Sequence, residues 1–243
     1  MHILNNISIY DLTLYLQESN TLVFGDSHIG YEEALNKQGV LIPRFQFKEV
    51  LEKLGKVISA IKKEHNVSSF SSIVINGDVK HEFGTISEQE WRHTLRLLDF
   101  LLGFTSKIVL VKGNHDTILG PIAKKREVKV EEHVVLGDVL VIHGDKLPSP
   151  DLLKKVSTII IGHEHPAVSI ADGVRQELYK CFLRGKWKRK NLIVMPSFNL
   201  VKEGADVLKS KPLSPFLQGK LDNFDVYPVA DRVYEGVKLK KLR

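Results

Sequence analysis

Residues 21–28 have the sequence Thr-Leu-Val-Phe-Gly-Asp-Ser-His, in which a short apolar run ends directly in an Asp-x-His pair, Asp26 and His28. Four more short apolar runs, each rich in β-branched residues, follow at residues 73–76, 108–112, 139–142 and 158–161. Short, unbroken runs of this kind are typical of strands that are buried on both faces. The polar motifs that end the runs are therefore expected at the carboxyl ends of strands, where α/β sheets bind their ligands.

The four later motifs contain the residue types of a metal site. They are Gly77-Asp78-Val79-Lys80-His81, Gly113-Asn114-His115-Asp116, His143-Gly144-Asp145 and Gly162-His163-Glu164-His165. Asp, Asn and His supply oxygen and nitrogen ligands that suit Mn, Fe and Zn. The single cysteine, Cys181, excludes both a thiolate cluster and an intramolecular disulfide. Metal binding must therefore depend on the carboxylate, amide and imidazole groups.

Spacing within the motifs suggests how ligands could be shared. Residues two apart lie on one face of an extended chain, so Asp26 and His28 can reach one ion. His163 and His165 could do the same, or each could face a different ion. Two cations about 3.5 to 4 Å apart need a bridging group, and we assign this role to Asp78. Each motif alone is more often a turn or a surface pair, and the prediction depends on the five occurring in order.

Two amphipathic patterns separate the first three apolar runs. Apolar residues recur near the 3.6-residue period from Pro43 to His65, and a proline suits the first turn of a helix. The second pattern begins at Ser87, with Glu90 three residues later as in a capping box, and ends near Gly103. Alternation of strands and helices predicts a largely parallel sheet in the first half of the chain.

The second half has a different pattern, with short strands and tight turns. Turns are expected at Gly137-Asp138, at residues 171–173 and at residues 188–191, and a short helix near residues 150–156. We predict an α/β fold, a four-layer α-β-β-α sandwich of two mixed sheets flanked by helices. One domain spans residues 1–243, with its core over about 20–200 and a C-terminal extension over 201–243.

Composition limits the class of protein. With 243 residues, 43% hydrophobic and 26% charged, the chain has the balance of an ordinary globular protein. No stretch approaches the roughly 18 apolar residues of a membrane span, and the N-terminus lacks the pattern of a secretory signal. We therefore expect a cytoplasmic protein without membrane contact.

The formal net charge is +6, and part of the excess is local. Basic residues are concentrated in one segment and at the end of the chain: Lys180, Arg184, Lys186, Lys188, Arg189, Lys190, Lys238, Lys240, Lys241 and Arg243. Such clusters suit a polyanionic substrate, and Trp187 places an aromatic ring beside cations. The alternative is a solvated hairpin tip with a frayed tail, in which Trp187 belongs to the core or a turn.

The five motifs, in this order, resemble the signature of the calcineurin-like metallophosphoesterase superfamily over about residues 22–166. The resemblance implies that one metal is bound by Asp26, His28 and His165 and a second by Asn114, His143 and His163, with Asp78 bridging them. It also implies that His115 is the catalytic histidine and that Asp116 orients its ring. His81 is either a group that contacts phosphate or a loop histidine bonded to backbone.

A narrower resemblance comes from residues 77–83, residues 162–166 and the segment Met195-Pro196-Ser197-Phe198-Asn199. These segments are similar to the Icc-type phosphoesterases of archaea and bacteria, relatives of the SbcD-type repair nucleases, some of which are associated with DNA ligases. The repair nucleases have a further DNA-capping region, and this chain is too short to hold a large one. The resemblance therefore implies a phosphoesterase related to nucleases without implying processing of duplex ends.

The expected enzyme uses two divalent metal ions, with Mn preferred and Fe, Zn or Ni as alternatives. A hydroxide that bridges the ions would attack phosphorus in line, and His115 would give a proton to the departing alkoxide. The expected substrate is a phosphodiester of nucleic acid, DNA or RNA, or of a nucleotide. The alternatives are a small-molecule phosphodiesterase or phosphomonoesterase, and a non-catalytic metal-binding scaffold. The sequence leaves the oligomeric state open.

Overall fold

The computed structural model describes residues 1–43, 45–84, 86–116, 118–173 and 175–242. Its first sheet has, among the described residues, seven strands whose order in space follows their order in the chain. They are β1 (His2–Leu4), β2 (Ile7–Tyr10), β3 (Thr13–Leu16), β4 (Thr21–Phe24), β5 (Ser72–Asn76), β6 (Ile108–Val111) and β7 (Lys129–Glu131). From β4 to β7 the pairing is parallel, which confirms the sheet predicted for the first half.

Strands β1 to β4 pair antiparallel and extend this sheet. We did not predict β1 to β3, because they lack the unbroken β-branched runs that precede the five polar motifs, and short turns join them. Their burial shows that they belong to the core. Ile9 and Leu14, which pair across β2 and β3, are both fully enclosed.

Five helices are described, of which two are long. They are α1 (Tyr31–Lys37), α2 (Gln46–His65), α3 (Glu88–Leu102), α4 (Gly120–Lys124) and α5 (Pro150–Lys154). The predicted amphipathic pattern is confirmed in α2, which buries Leu54, Ile58 and Ile61. The capping box of α3 is also present, because the Ser87 hydroxyl accepts from the Glu90 N–H and the Glu90 carboxylate accepts from the Ser87 N–H.

The second sheet has nine strands in the described part of the chain. They are β8 (His133–Leu136), β9 (Val139–Ile142), β10 (Thr158–Ile161), β11 (Pro166–Asp172), β12 (Arg175–Trp187), β13 (Lys190–Val194), β14 (Ala205–Asp206), β15 (Asp225–Pro228) and β16 (Val237–Lys238). The central order is β14-β11-β12-β13-β10-β9-β8, and β15 pairs with β12 and β16. Parallel and antiparallel pairs both occur, so this sheet is mixed, as predicted.

Successive residues along the strands of the second sheet face opposite sides of the sheet and so belong to two apolar layers. Val141, Ile160 and Ile193 face the first sheet and belong to the larger core, whereas their sequence neighbours pack on the opposite face. That opposite face is covered by α5 and by a 3-10 turn at Pro215–Leu217. Helices α2 and α3 cover the outer face of the first sheet. The four-layer sandwich is therefore confirmed, with a thin fourth layer.

The turn predicted at residues 188–191 is shorter in the structure. Trp187 pairs directly with Lys190, so the connection between β12 and β13 consists of Lys188 and Arg189 alone. Both have positive φ, 44° and 69°, which is the geometry of a two-residue turn that matches the twist of the flanking strands. The basic residues made the segment look polar throughout, although the strand had already resumed.

Trimming one methyl group from the layer between the sheets provides a test of the packing. Ile160 is fully buried there, whereas Ile170 on β11 is 38% exposed. We expect Ile160→Val to lower the free energy of unfolding by about 1 kcal/mol, because a buried cavity is left behind. Ile170→Val should change it by less than about 0.5 kcal/mol. Urea denaturation measures both, and equal losses in the two variants would contradict this assignment of layers.

Candidate metal centre

The motifs meet because parallel strands of both sheets end at one edge of the sandwich. The register places Phe24 beside Ile75 and Asn76 beside Val111, so the residues that follow β4, β5 and β6 are neighbours. In the second sheet β9 and β10 end side by side, and the Gly162 N–H donates to the His143 carbonyl over 2.8 Å. Polar residues far apart in sequence are thereby brought into one cleft.

The backbone at the strand ends is held in an uncommon conformation. Five of the residues proposed as ligands have positive φ between 43° and 66°, namely Asp26, His28, Asp78, His163 and His165. Residues other than glycine adopt this region rarely and at an energetic cost, and such positions concentrate at functional sites. The turns therefore direct the side chains into the cleft immediately after each strand.

Two motif glycines are required by close packing of ligand side chains. A Cβ atom at Gly77 would lie 2.1 Å from Nδ1 of His143, and the φ of Gly77 is +80°. A Cβ atom at Gly113 would lie 2.1 Å from Oδ1 of Asp78. These distances are far inside van der Waals contact, so each glycine allows a ligand from another strand to approach the backbone.

Asp26, His28 and His165 form one group whose ligand atoms all lie within 4.8 Å of one another. Nε2 of His165 is 3.4 Å from Oδ1 of Asp26 and 3.4 Å from Nε2 of His28. Asp26 and His28 are buried, and His165 is partly exposed to the cleft. The three residues expected to share one ion are therefore assembled around one point.

Asp78, His143 and His163 form a second group of the same dimensions. Nε2 of His143 is 3.2 Å from Nδ1 of His163 and 3.6 Å from Oδ2 of Asp78. The Asn114 side-chain oxygen lies 3.1 Å from the same His143 nitrogen. The other three residues named for the second ion thus converge on the Nε2 atom of His143.

Asp78 lies between the two groups. Its Oδ2 atom is 3.6 Å from Nε2 of His143 in the second group and 3.8 Å from Nε2 of His28 in the first. Its other oxygen accepts from the backbone N–H of His115 at 2.9 Å, which fixes the orientation of the carboxylate. This position matches the one expected for a bridging ligand.

Unpaired polar atoms show that the donor set fits divalent cations. Among the described residues, Oδ1 of Asp26 and Nδ1 of His143 are buried without a hydrogen-bond partner, and they face each other at 3.6 Å. A buried carboxylate oxygen without a partner is costly, and a cation beside the imidazole nitrogens would satisfy Oδ1 of Asp26. Burial and the nearby His165 also hold the pKa of His28 well below its usual range, which keeps its ring in the neutral form that binds metal.

The two buried carboxyl groups have opposite pKa shifts. Burial, followed by the charge of Asp26, raises the pKa of Asp78 to about 8. For Asp26 burial also acts to raise the pKa, but His165, His143 and His28 outweigh it and the pKa is lowered. A metal-free site therefore keeps one carboxylate charged and the other protonated near neutral pH. Two cations would remove the reason for this asymmetry.

Asp116 is hydrogen-bonded to backbone groups of the site. Its carboxylate accepts from the backbone N–H groups of Val79 and Gly113, both at 3.1 Å, and so ties two strand-end loops together. The His115 ring is instead oriented by a backbone group, because its Nδ1 atom lies 2.7 Å from the carbonyl oxygen of His81. Asp116 therefore supports the backbone of the site, and its role in orienting the His115 ring stays a prediction.

His81 lies beside His115, with ring centroids 5.7 Å apart and nearly parallel planes. Its ring also contacts Tyr31 edge to face, with the centroids 4.6 Å apart. Burial and the neighbouring His115 lower the pKa of His81 to about 4. His81 is therefore neutral near pH 7 and is aimed at the cleft.

Two supporting residues were missed by the sequence analysis. The Ser197 hydroxyl donates to the carbonyl of Asp26 at 3.0 Å, and the carboxylate of Glu164 accepts from the N–H groups of Leu213 and Ser214. Glu164 thereby holds a distant loop against the motif that contains it. The only sequence signal was position within a motif, since hydrogen bonds to backbone depend on a partner segment that the sequence does not reveal.

The site opens into a cleft of about 580 Å³, and its walls include His28, His165, Asp78 and His163 of the two groups together with Tyr31 and Lys202. A larger groove of about 670 Å³ lies at the opposite edge of the sandwich, around Asp138 and Thr158. We place the function in the smaller cleft, because the ligand groups and the perturbed pKa values are found there.

The basic hairpin lies away from this cleft, contrary to one of its two interpretations. Strand β13 runs parallel to β10, with Asn191 beside Thr158, so Lys188 and Arg189 lie at the end opposite Gly162. Four strand residues span about 13 Å. The Trp187 ring packs 4.8 Å from that of Phe216, as a core or turn residue would. At the end of the chain, Arg243 lies outside the described residues.

No helix in the described part of the chain combines the length and the apolar character needed to cross a membrane. Comparison with known proteins adds the family. A family model described as calcineurin-like phosphoesterase matches residues 19–207. No curated protein matches the chain.

Two solved structures illustrate the likeness of the fold. A nuclease, MPE, of Pseudomonas putida has a TM-score of 0.61 and 19% identity, covering 93% of this chain and 92% of that one. YfcE, a phosphoesterase of E. coli, has a TM-score of 0.42 and 16% identity, covering 90% of this chain and 98% of that one. At these identities the first likeness concerns the fold, and the second supports no further argument.

The raised pKa of Asp78 predicts how metal-free protein responds to pH. A carboxyl whose pKa rises from 3.8 to about 8 on folding stabilises the fold fully below pH 3.8, and this contribution is lost as pH rises towards 8. Asp78→Asn lacks the titrating group. We therefore expect the melting temperature of the metal-stripped variant, relative to wild type, to be higher at pH 8 than at pH 5.

With Mn added, wild type should have the higher melting temperature. The ion stabilises wild type, whereas the Asp78→Asn variant has lost a ligand. Comparing the two proteins at each pH cancels the groups that they share. A difference in melting temperature that is the same at pH 5 and pH 8 would contradict the assignment of the raised pKa to Asp78.

Proposed function

Since the chain belongs to the calcineurin-like phosphoesterase family and is a hydrolase of ester bonds, we propose that it is a phosphodiesterase dependent on two divalent metal ions. Its proposed substrates are phosphodiesters of nucleic acid or of nucleotides. The observation that carries the proposal is the position of Asp78, whose Oδ2 atom lies within 4 Å of an imidazole nitrogen in each ligand group. A carboxylate there can serve two ions at once.

In the proposal, Asp26, His28 and His165 hold one ion, Asn114, His143 and His163 hold the other, and Asp78 bridges them. Mn is the first choice, and Fe, Zn and Ni share the same ligand preferences. When bound, two such ions supply electrostatic stabilisation of the phosphoryl oxygens and lower the pKa of a water nucleophile. The unpaired Oδ1 atom of Asp26 supports this assignment, because a cation would supply the partner that the described residues do not provide.

His115 is the proposed general acid. The His81 carbonyl occupies its Nδ1 atom, which leaves Nε2 as the free ring nitrogen on a side chain that lines the cleft. Hydrolysis breaks the bond between phosphorus and the leaving oxygen, and that oxygen must take up a proton when it departs as an alkoxide. Because the Nδ1–H already donates to that carbonyl, the ring donates a proton from Nε2 in its imidazolium form, although burial lowers the pKa of His115. His81, kept neutral by its lowered pKa, can bind a phosphate oxygen by hydrogen bonding.

A diester substrate is supported by the shape and lining of the cleft. It is open to solvent, and the ring of Phe83, which is 63% exposed, lies 5.3 Å from that of His115. Lys202, with its Nζ atom 5.3 Å from the centre of the Tyr31 ring, adds a cation at the rim. An aromatic ring and a cation beside the reaction centre suit a substrate with groups on both sides of the phosphate.

A small-molecule phosphodiesterase or phosphomonoesterase is the second candidate, and the position of the basic hairpin favours it. Lys188 and Arg189 lie at the far edge, so they do not add positive charge to the walls of the cleft. The two candidates differ in salt dependence. Binding of nucleic acid should weaken steeply as salt rises, whereas hydrolysis of a small ester should change little.

The proposal is tested with metal-stripped protein refilled with Mn. We expect hydrolysis of bis-p-nitrophenyl phosphate to exceed that of p-nitrophenyl phosphate, and cleavage of single-stranded DNA to fall between low and moderate salt. Asp78→Ala should abolish all three activities. Preference for the monoester would favour a small-molecule phosphatase, and bound metal without any hydrolysis would favour a scaffold.

His115→Ala tests the chemical step in a protein that should still bind its metal ions. We expect turnover of an alkyl diester to fall by about 10² or more, because the proton donor is lost. Metal content, measured by atomic absorption, should remain that of wild type, since the His115 side chain is outside the ligand set proposed for the two ions. Turnover like that of wild type would refute the role given to His115.

A further inference from the structure

Glu90 is a buried carboxylate that the mechanism has not used. It is 0% exposed, and its capping role in α3 accounts for one contact, from the Ser87 N–H to Oε2 at 2.7 Å. Its Oε1 atom accepts two more N–H groups, from His81 at 3.0 Å and from Glu82 at 2.7 Å. These two contacts are unnecessary for the helix and lie in the loop beside the cleft.

The peptide unit between His81 and Glu82 joins Glu90 to His115. The Glu82 N–H, which donates to Glu90, and the His81 carbonyl, which accepts from the His115 ring, belong to this same planar unit. Because the unit is planar, holding its N–H fixes the direction of its carbonyl. A carboxylate on the N–H also polarises the unit and makes the carbonyl a better acceptor.

This arrangement fills the place left by Asp116. An orienting carboxylate was expected on the His115 ring, but both oxygens of Asp116 bind backbone N–H groups. Glu90 reaches the ring through one peptide unit instead. The Glu90 carboxylate therefore holds the His115 ring indirectly, through the His81–Glu82 peptide unit.

Neighbouring residues leave Glu90 little freedom to move. A Cβ atom at Gly30 would lie 2.4 Å from Cγ of Glu90, so the Glu90 side chain passes tightly against that backbone. Lys80, which is also fully buried, donates from Nζ to the carbonyl of Glu82 and anchors the next peptide of the loop. The groups that lie between α3 and the cleft are therefore tightly packed.

We propose that Glu90 is a positioning residue of the phosphodiesterase reaction. It fixes the His81–Glu82 peptide so that Nε2 of His115 points at the leaving oxygen. The inference rests on the proposed function. In hydrolysis the oxygen of water becomes bonded to phosphorus, the bonding pair of the broken P–O bond goes to the leaving oxygen, and that oxygen takes the proton from Nε2. The water gives up the proton that restores the ring.

Leaving groups distinguish positioning from structural support. A p-nitrophenoxide ion is stable because the nitro group spreads its charge, so it departs without a proton. An unsubstituted phenoxide is a poorer leaving group and gains more from a proton donor. A variant with a misplaced His115 should therefore be impaired mainly on the phenyl ester.

The substrates for the test are the p-nitrophenyl and the phenyl esters of thymidine 5′-phosphate, with Mn-loaded protein. In Glu90→Ala we expect kcat on the phenyl ester to fall about tenfold or more, and kcat on the p-nitrophenyl ester to fall less than about threefold, with KM unchanged. Glu90→Gln keeps one oxygen acceptor and should lie between wild type and Glu90→Ala. It also keeps the test valid if the alanine variant fails to fold.

Ser87→Ala is the matched control, because it removes the hydroxyl that caps the same helix and leaves the Glu90 carboxylate in place. It should lower the melting temperature without the selective loss on the phenyl ester. Combining Glu90→Ala with His115→Ala should give no larger loss on that ester than His115→Ala alone.

Equal losses on the two esters, a selective loss in Ser87→Ala as well, or no loss in either Glu90 variant would overturn the role of Glu90. Those outcomes would leave the phosphodiesterase proposal standing, because wild type would still hydrolyse both diesters. If wild type with bound Mn hydrolyses neither diester, the proposed function itself fails and the role of Glu90 falls with it.

Discussion

The burial of two carboxylates among imidazole rings is the constraint on which the rest of the structure depends. Asp26 and Asp78 are both almost fully enclosed, and a charged group in such surroundings is expensive unless it has a partner. Backbone N–H groups satisfy one oxygen of each, from His163 to Asp26 and from His115 to Asp78. The remaining oxygens face imidazole nitrogens, and cations between them would offset the cost of burial.

The two sheets hold the buried carboxylates in place, because the ends of their strands are rigid. The backbone hydrogen bonds between neighbouring strands continue past the strand ends. The Asp26 N–H donates to the Gly77 carbonyl at 2.9 Å, and the His28 N–H donates to the Asp78 carbonyl at 3.0 Å. The Phe198 N–H donates to the Gly25 carbonyl at 2.9 Å and joins the second sheet to the first. Ligands on such a frame are placed before any ion arrives, which is the condition for tight and selective binding.

Much of this could be predicted from sequence where the signal is local. The strands that precede the five polar motifs are short apolar runs, and the capping box at Ser87 marks the start of α3, so both were predicted close to their observed bounds. The resemblance named the ligand residues, and the structure brings them together. Strands β1 to β3 were missed because they have neither an unbroken β-branched run nor a motif of candidate ligands at their ends.

Other contacts were not predicted for a different physical reason. Asp116 accepts from the N–H of Val79, 37 residues away, and Glu90 accepts from the loop before its own helix, and no pattern of residue types records which N–H a carboxylate will meet. The basic hairpin was ambiguous for the same reason. Charge can be counted in the sequence, but only the register of β13 beside β10 shows which edge of the sandwich receives it.

The central claim is that two ions share Asp78, and anomalous diffraction from crystals loaded with Mn tests it most directly. The account predicts two peaks about 3.5 to 4 Å apart, one beside His28 and His165 and the other beside His143 and His163, with the Asp78 carboxylate between them. A single peak, or two peaks of which one does not contact Asp78, would contradict it.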